Sequence, residues 1–414
     1  MRIRHVIFIA ALVAGFAMLA LVGCGGDETT TTTAAPAETT TTAVSEETTT
    51  TEMAGPSGDP IMIGAIVSAS GPASPLGEPE RAALLMLEEK INTVGVLGRP
   101  IKLVIEDDQS NPTEAVTAVN KLLQQDKVIA VLGGSISAST LAIKPITHAA
   151  GIPLMAMAAS NAITADPIDW VWRAPPRDAL AVGAALGYIQ KTMKLTKVAV
   201  LSDENAYGAS GLADIEARAG DFGLTVVAKE SYKTEDTDLT AQLTKIKAAN
   251  PEVIVVWGTN PGPAVAAKNM KQLGMTQPYV GSHGIANKAF IDLGGDAAEG
   301  VIFPAGRLLV PESFTNPEQK AIVDQFVTAF EEATGNPPPT FAGHAFGALT
   351  LLLDAIDRAG STDAADIQAA LNETTGVITP DGVYNYTPTD HDGLTPDDLT
   401  VVQVQGGTWV LAPQ

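Results

Sequence analysis

The chain has 414 residues, 45% of them hydrophobic, and a formal net charge of −22. Single hydrophobic cores stop growing near about 250–300 residues, so a chain of this length predicts two lobes. A surface this acidic repels phosphate backbones and anionic lipids, which excludes nucleic acid as an expected partner. The chain contains one cysteine, so the sequence offers no disulfide framework and no cysteine-based metal site.

The N-terminal segment has the pattern of an export signal. Arg2 and Arg4 precede an uncharged, mostly apolar run over residues 6–22. Together they predict a signal peptide over residues 1–24. The run ends Leu-Val-Gly-Cys, which resembles the bacterial lipoprotein box, in which the cysteine receives lipid. We therefore expect lipidation of Cys24, and the alternative is an ordinary secretory cleavage that leaves this cysteine idle.

Residues 25–58 have a low-complexity composition, with thirteen threonines between Thr29 and Thr51. Such a segment cannot bury enough apolar surface to offset its chain entropy, so we expect a disordered tether. Its end-to-end reach is roughly 30 Å. With a lipidated Cys24, the tether would anchor a globular body to the outer face of the cytoplasmic membrane.

From Asp59 onward, short apolar runs alternate with stretches of helical periodicity. The predicted strands are Ile61–Val67, Ile101–Ile105, Val128–Leu132, Pro153–Ala156, Val198–Leu201, Thr225–Ala228, Val253–Trp257 and Tyr279–Gly281. Helices are predicted over Pro79–Thr93, from Asn111-Pro112 onward, and from Ser137 to Ala150. This alternation predicts an α/β fold of two doubly wound parallel-sheet lobes, with helices on both faces of each sheet.

The loops after the predicted strands are rich in Gly and Ser, and ligands bind beyond the carboxyl ends of open parallel sheets. Ser137 begins a helix and Ser160 follows a strand, so their hydroxyls and the neighbouring N–H groups predict an anion site. The alternative is that each serine merely caps its helix. The sequence has no nucleophile elbow, Walker loop or dinucleotide-binding loop, and its histidines lack metal-site spacing. We therefore expect no catalytic residue, no metal and no cofactor.

Six short segments of the chain, in their order and spacing, resemble motifs of the leucine/isoleucine/valine-type binding proteins, which are periplasmic binding proteins of type I. The motifs are Ser70-Gly71-Pro72, Glu106-Asp107-Asp108, residues 132–140, Gly151-Ile152-Pro153, Ala158-Ala159-Ser160 and residues 203–208. The resemblance implies the solute-binding component of an ABC importer. The protein would then be a monomer that captures a branched-chain amino acid or related small carboxylate by hinge closure and delivers it to a membrane permease.

The resemblance also implies that the chain crosses three times between the lobes. We place the crossings near residues 173–177, 304–308 and 378–381. The first lobe would then comprise residues 59–176 and 308–379, and the second residues 177–307 and 380–414.

Eight ligand-binding positions follow from the resemblance. They are Leu76, Ser137, Ala158, Ala159, Ser160, Tyr207, Thr259 and His283. Ser137 and Ser160, with the backbone of the loop at Ala158, would hold the ligand carboxylate. Tyr207 would close over the ligand from the second lobe, or is an ordinary packed aromatic residue. Leu76 and Thr259 stand where the family often has aromatic lining residues.

His283 departs from the family, whose amino-acid binders have an acidic residue here that pairs with the ligand's α-ammonium. Histidine cannot supply that charge, and an unpaired buried ammonium costs several kcal/mol as an order of magnitude. One alternative is a ligand without an α-ammonium, such as a keto acid, another carboxylate or an amide. The other is that Asp203 or Glu204 pairs with the ammonium and that His283 is a surface turn residue.

Two other functions remain open from the sequence. A ligand sensor of the same fold would need a separate membrane partner for its output. A surface hydrolase is disfavoured because the chain shows no catalytic constellation.

Overall fold

The computed structural model of the protein describes residues 55–414. The predicted signal peptide, Cys24 and the tether up to residue 54 lie outside the described residues. The last residues of the predicted tether lie against the body, where the Ser57 N–H donates to the Gly98 carbonyl over 3.0 Å. Within residues 55–414, no helix combines the length and the apolar character that crossing a bilayer requires.

The first lobe contains five strands and their connecting helices. The strands are β1 Ile61–Val67, β2 Ile101–Asp107, β3 Val131–Gly133, β4 Leu154–Ala156 and β5 Val171–Arg173. The helices are α1 Ser74–Ile91, α2 Pro112–Gln124 and α3 Ser137–Ala150. All strands are parallel, in the order β2-β1-β3-β4-β5. Consecutive residues Val131 and Leu132 belong to cores on opposite faces of the sheet, so both faces are covered.

The second lobe continues the alternation of strands and helices. Its strands are β6 Lys197–Asp203, β7 Thr225–Tyr232, β8 Val253–Trp257, β9 Tyr279–Gly281 and β10 Ile302–Gly306. Its helices are α4 Asp178–Tyr188, α5 Ala206–Arg218, α6 Thr240–Ala248, α7 Gly262–Gln272 and α8 Lys288–Gly294. The predicted strands in this region are all present.

After β10 the chain returns to the first lobe and then completes the second sheet. The returning elements are α9 Pro317–Thr334, α10 Thr340–Ala359, α11 Ala364–Asn372 and the antiparallel pair β11 Thr375–Ile378 and β12 Val383–Asn385. Strands β13 Leu399–Gln405 and β14 Thr408–Leu411 follow. The second sheet has the order β14-β13-β10-β9-β8-β6-β7. The predicted parallel sheets are confirmed, and the antiparallel edge formed by β13 and β14 is an addition that the sequence analysis missed.

The packing near the predicted crossings differs from the predicted lobe boundaries. Pro304 lies within β10 of the second sheet, Leu308 packs in the first core and Val310 packs again in the second, so the chain passes between the lobes just after β10 without a single boundary residue. Tyr384 and Leu394 also belong to the first core, although residues 380–394 were assigned to the second lobe. Leu399 packs with the second sheet. Core contacts therefore change after Leu394 rather than at residue 379.

Local sequence signals explain several helix boundaries. Asn111 caps α2 by accepting a hydrogen bond from the Thr113 N–H over 2.9 Å, as its Asn-Pro start predicts. Helix α1 begins at Ser74, earlier than the predicted Pro79, and Pro79 lies inside it. The earlier start brings Leu76 onto the buried face of α1.

Candidate functional site: a cleft between the two lobes

A cleft of about 350 Å³ opens between the lobes, beyond the carboxyl ends of both sheets. Seven of the eight predicted ligand-binding residues line it, namely Leu76, Ser137, Ala158, Ala159, Tyr207, Thr259 and His283. The sequence analysis missed other lining residues, among them Ser135, Met157, Asn205, Glu235, Asn260, Phe341 and His344. The tertiary structure therefore gathers the predicted positions at one place.

The first-lobe wall is centred on the N-terminus of α3. Ser137 is the first residue of this helix, Ile136 is its N-cap, and no side chain caps it. Likewise, the side chain of Ser160 does not cap the short turn that follows it. The alternative that these serines are helix caps is wrong. The N-terminus of α3 also has the positive end of the helix dipole, which favours an anion.

Ser160 is not among the residues that line this cleft, and it lines a neighbouring pocket together with Ala206 and Ser210. Its N–H donates to Ser137 Oγ over 3.2 Å, and its carbonyl accepts from Arg173 Nη2 over 2.8 Å. Both contacts turn its backbone toward neighbouring protein groups. The Ser160 backbone therefore orients the Ser137 hydroxyl, and a direct contact between Ser160 and the ligand stays a prediction.

The second-lobe wall includes Tyr207 and His283, and the buried ring of Trp257 packs against both. Asn205 caps α5 and accepts from the N–H of Tyr207 over 3.0 Å, which fixes Tyr207 in the first turn. The rings of Tyr207 and Trp257 each meet the His283 ring nearly edge-on, with centroids 5.5 and 5.9 Å away. His283 is buried, so the alternative of a surface turn residue is wrong.

Burial sets the charge of His283, and its contact with Tyr207 bears on which ring nitrogen has the proton. The Gly284 N–H donates to the Tyr207 hydroxyl over 3.0 Å. The Tyr207 hydroxyl lies 3.3 Å from His283 Nδ1, and the donor in this contact depends on the tautomer of the ring. Burial, with smaller contributions from His344 and Arg173, lowers the pKa of His283 to about 3, so the ring is neutral. A neutral ring that accepts at Nδ1 has its proton on Nε2. Nε2 has no hydrogen-bond partner among the described residues.

Acidic groups are scarce in the cleft. Of the described residues that line it, Glu235 alone is acidic, and its side chain is exposed. Asp203 is buried and accepts from the Thr234 hydroxyl and the Asn205 N–H. Glu204 is exposed and accepts from the Ser231 hydroxyl. Neither Asp203 nor Glu204 is among the lining residues, and residues 55–414 contain no cluster of side chains suited to a metal ion.

His344 enters the cleft from α10, which follows the second crossing between the lobes. Its Nδ1 lies 3.0 Å from each carboxylate oxygen of the buried Asp381, so Asp381 fixes a proton on that nitrogen. The ring of Phe341 meets it edge-on at 5.6 Å. No sequence motif marks His344, because its place depends on the return of the chain to the first lobe.

This chain has two α/β lobes and a cleft lined by residues of both, which are the features of a two-lobed solute-binding fold. The chain belongs to the periplasmic binding protein family, whose family model matches residues 60–408. A relative in Pseudomonas aeruginosa is the leucine-, isoleucine-, valine-, threonine- and alanine-binding protein. It is 29% identical over 77% of this chain and 83% of that protein.

Solved structures show the same architecture. An extracellular ligand-binding receptor from Rhodopseudomonas palustris is similar with a TM-score of 0.80 and 27% identity, over 86% of this chain and all of that one. A leucine-binding protein from Thermotoga maritima has a TM-score of 0.77 and 27% identity, over 85% of this chain and 98% of that one. The predicted family and fold are confirmed.

Proposed function

We propose that this protein is the extracytoplasmic binding component of an ABC importer and captures a small carboxylate in the cleft by closure of its lobes. Its relatives are periplasmic or extracellular binding proteins, and the P. aeruginosa relative is named for five amino acids. In this proposal the protein binds and releases its ligand unchanged. A membrane permease receives the ligand. Cells lacking the chain should fail to take up labelled ligand, whereas loss of a sensor would leave the importer in place.

The N-terminus of α3 is the observation that best supports a carboxylate ligand. Ser137 Oγ accepts the Ser160 N–H, so its own hydrogen is available to a ligand in the cleft. No lysine or arginine is among the described lining residues. The carboxylate would therefore be held by hydroxyl and backbone donors and by the helix dipole, rather than by an ion pair.

The opposite end of the ligand faces His283. We assign the ring proton to Nε2, with the Tyr207 hydroxyl donating to Nδ1. This N–H is then buried without an acceptor among the described residues, and leaving a buried donor unpaired costs about 1–3 kcal/mol. A ligand oxygen would remove that cost, whereas an α-ammonium would place a cation against a donor. Asp203 and Glu204 lie outside the lining and are engaged elsewhere. We therefore favour a ligand that has a keto, hydroxyl or amide oxygen where an amino acid has its ammonium.

A matched ligand panel tests this class. Residues 55–414 would be unfolded thermally with leucine or its keto acid α-ketoisocaproate, and with phenylalanine or phenylpyruvate. A ligand that binds only the native state raises its stability by RT ln(1 + [L]/Kd). The keto acids should raise the midpoint and the amino acids should not. Small-angle scattering should give a smaller radius of gyration for the protein with its bound ligand than for the free protein, since closure brings the two lobes together.

His283→Glu is the decisive variant for the ligand class. The substitution replaces a neutral donor with a negative charge, so it should weaken α-ketoisocaproate and introduce leucine binding. If wild-type protein binds leucine instead, the preference for a ligand without an ammonium is wrong. Loss of leucine binding in Glu235→Gln would then identify the rim carboxylate as the ammonium partner.

A further inference from the structure

Ser135 is a second serine at the first-lobe wall, two residues before Ser137. It follows β3, lines the cleft and is otherwise buried. Its Oγ accepts the Ser68 N–H over 2.9 Å and forms a short hydrogen bond with the carboxyl group of Glu80. Two of the three hydrogen-bonding positions of this hydroxyl are therefore used inside the protein. The third position is free.

Glu80 lies in α1 with its side chain fully buried, and no basic group within residues 55–414 pairs with it. Its other oxygen, Oε1, has no hydrogen-bond partner among these residues. The titratable group that acts on it is Asp108, on the loop after β2, which is buried and has an unpartnered Oδ2. Burial raises the pKa of Glu80 well above its usual range, and Asp108 adds to that rise, whereas the Ser135 hydrogen bond opposes it. Burial without a positive partner favours the protonated form of such a carboxyl.

The position of that proton decides what Ser135 can offer to the cleft. If Glu80 were ionised, the Ser135 hydroxyl would donate to it, and only a lone pair would remain for the cleft. If Glu80 has its proton on Oε2, the direction of this contact reverses and the carboxyl donates to Ser135 Oγ, while Ser68 donates to the second lone pair. The hydroxyl hydrogen of Ser135 then remains for a group in the cleft. The first arrangement repels an anion and the second binds one.

We propose that Ser135 is a second hydroxyl donor to the ligand's carboxylate, and that the proton on Glu80 behind it sets this polarity. The inference rests on the proposed function, because it assumes an anion at the first-lobe wall. It assigns to Glu80 a positioning role without ligand contact. It also couples anion binding to the proton on Glu80, so that each one strengthens the other.

The linkage has a defined sign. Affinity for a carboxylate is full at pH values below the pKa of Glu80 and falls as the pH rises through it. Above that pKa, Glu80 takes the hydrogen of Ser135 and places a negative charge behind it. With complete coupling to one proton, Kd rises at most about tenfold per pH unit.

Infrared spectroscopy on the ligand-free protein tests the proton directly. The spectrum of the wild type minus that of Glu80→Gln should contain the C=O stretch of a protonated carboxyl at neutral pH. The control Glu89→Gln, on the exposed face of α1, should give no such band. Absence of the band in the Glu80 difference spectrum overturns the inference, whether or not any ligand binds.

Calorimetry with α-ketoisocaproate tests the donor. Ser135→Ala should raise Kd about tenfold or more. Glu80→Gln, whose amide donates as the protonated acid does, should stay within about threefold of wild type. The wild-type Kd should rise at the pH where the infrared band disappears, and the Glu80→Gln variant should lack that rise. Unchanged affinity in a folded Ser135→Ala variant overturns the donor role. If no carboxylate of the panel binds wild-type protein, the proposed function fails and the role of Ser135 fails with it, while the band still reports the proton on Glu80.

Discussion

The Ser137 hydroxyl is oriented by the neighbouring loop and not by the helix that it begins. The Ser160 N–H occupies one of its lone pairs over 3.2 Å, and the side chain of Ser137 makes no cap hydrogen bond. A hydroxyl held in this way loses little side-chain freedom when a ligand arrives, because its position is already fixed. The same contact explains why Ser160 matters without lining the cleft.

Replacing Ser137 with alanine should therefore weaken binding of α-ketoisocaproate. Loss of a hydrogen bond to a charged acceptor costs about 1–3 kcal/mol, which is roughly a 5- to 150-fold rise in Kd. Titration calorimetry measures this change in Kd. Ser231→Ala, at an exposed position on β7, is the matched control and should bind as wild type does. An unchanged Kd in Ser137→Ala would remove Ser137 from the site.

At the level of elements, Arg173 joins the ligand loop to a distant part of the chain. Fully buried at the end of β5, it donates to the carbonyls of Ala158 and Ser160 over 2.7 and 2.8 Å. Its Nε donates to Asp392 over 2.8 Å. Since a trans peptide points its N–H opposite to its carbonyl, the Ala159 N–H faces away from Arg173. This buried ion pair therefore shapes the loop that lines the cleft.

Asp392→Ala should destabilise the fold strongly. It leaves the guanidinium of Arg173 buried without its counter-charge, and breaking a buried pair in this way costs about 3–5 kcal/mol. Urea unfolding followed by circular dichroism measures the loss. The exposed Lys320–Asp324 pair gives the control, and Asp324→Ala should leave the midpoint near its wild-type value. Equal effects of the two substitutions would show that Arg173 has another source of compensation.

At the scale of the whole molecule, the predicted lipid anchor and tether would hold the two-lobed body near the membrane. The body begins at about Ser57, whose N–H is bonded to the Gly98 carbonyl. The predicted tether before it would let the cleft work roughly 30 Å from the membrane. If the anchor is present, such a length would allow the body to meet a membrane partner while attached.

Cys24→Ser tests this arrangement in cells of a bacterial host. Without the lipidated cysteine, the processed protein should move from the membrane fraction and the detergent phase to the soluble fraction. Phase partitioning with a nonionic detergent, followed by immunoblotting, measures the shift. A wild-type protein that is already soluble would contradict the lipoprotein prediction and favour ordinary secretory cleavage.

Much of the fold follows from local patterns. The eight predicted strands are all present, because short apolar runs between turn signals reflect burial on both faces of a parallel sheet. Strands β13 and β14 were missed because antiparallel edge strands lie outside the repeating strand–helix alternation. The packing of Tyr384 in the first core was missed for a related reason, since its hydroxyl donates to the carbonyl of Ala174, 210 residues earlier in the chain.

The sequence by itself determined the family, the two-lobed α/β fold and most positions around the cleft, because those follow from periodicity and from short motifs in order. Only the tertiary structure decided the chemistry of these positions. It buries His283 against Tyr207, which keeps the ring neutral, and it places Glu80 behind Ser135. It also brings the Ser160 N–H to the Ser137 hydroxyl. Proton positions and hydrogen-bond polarity depend on burial and on partners far apart in sequence, and no local pattern encodes either.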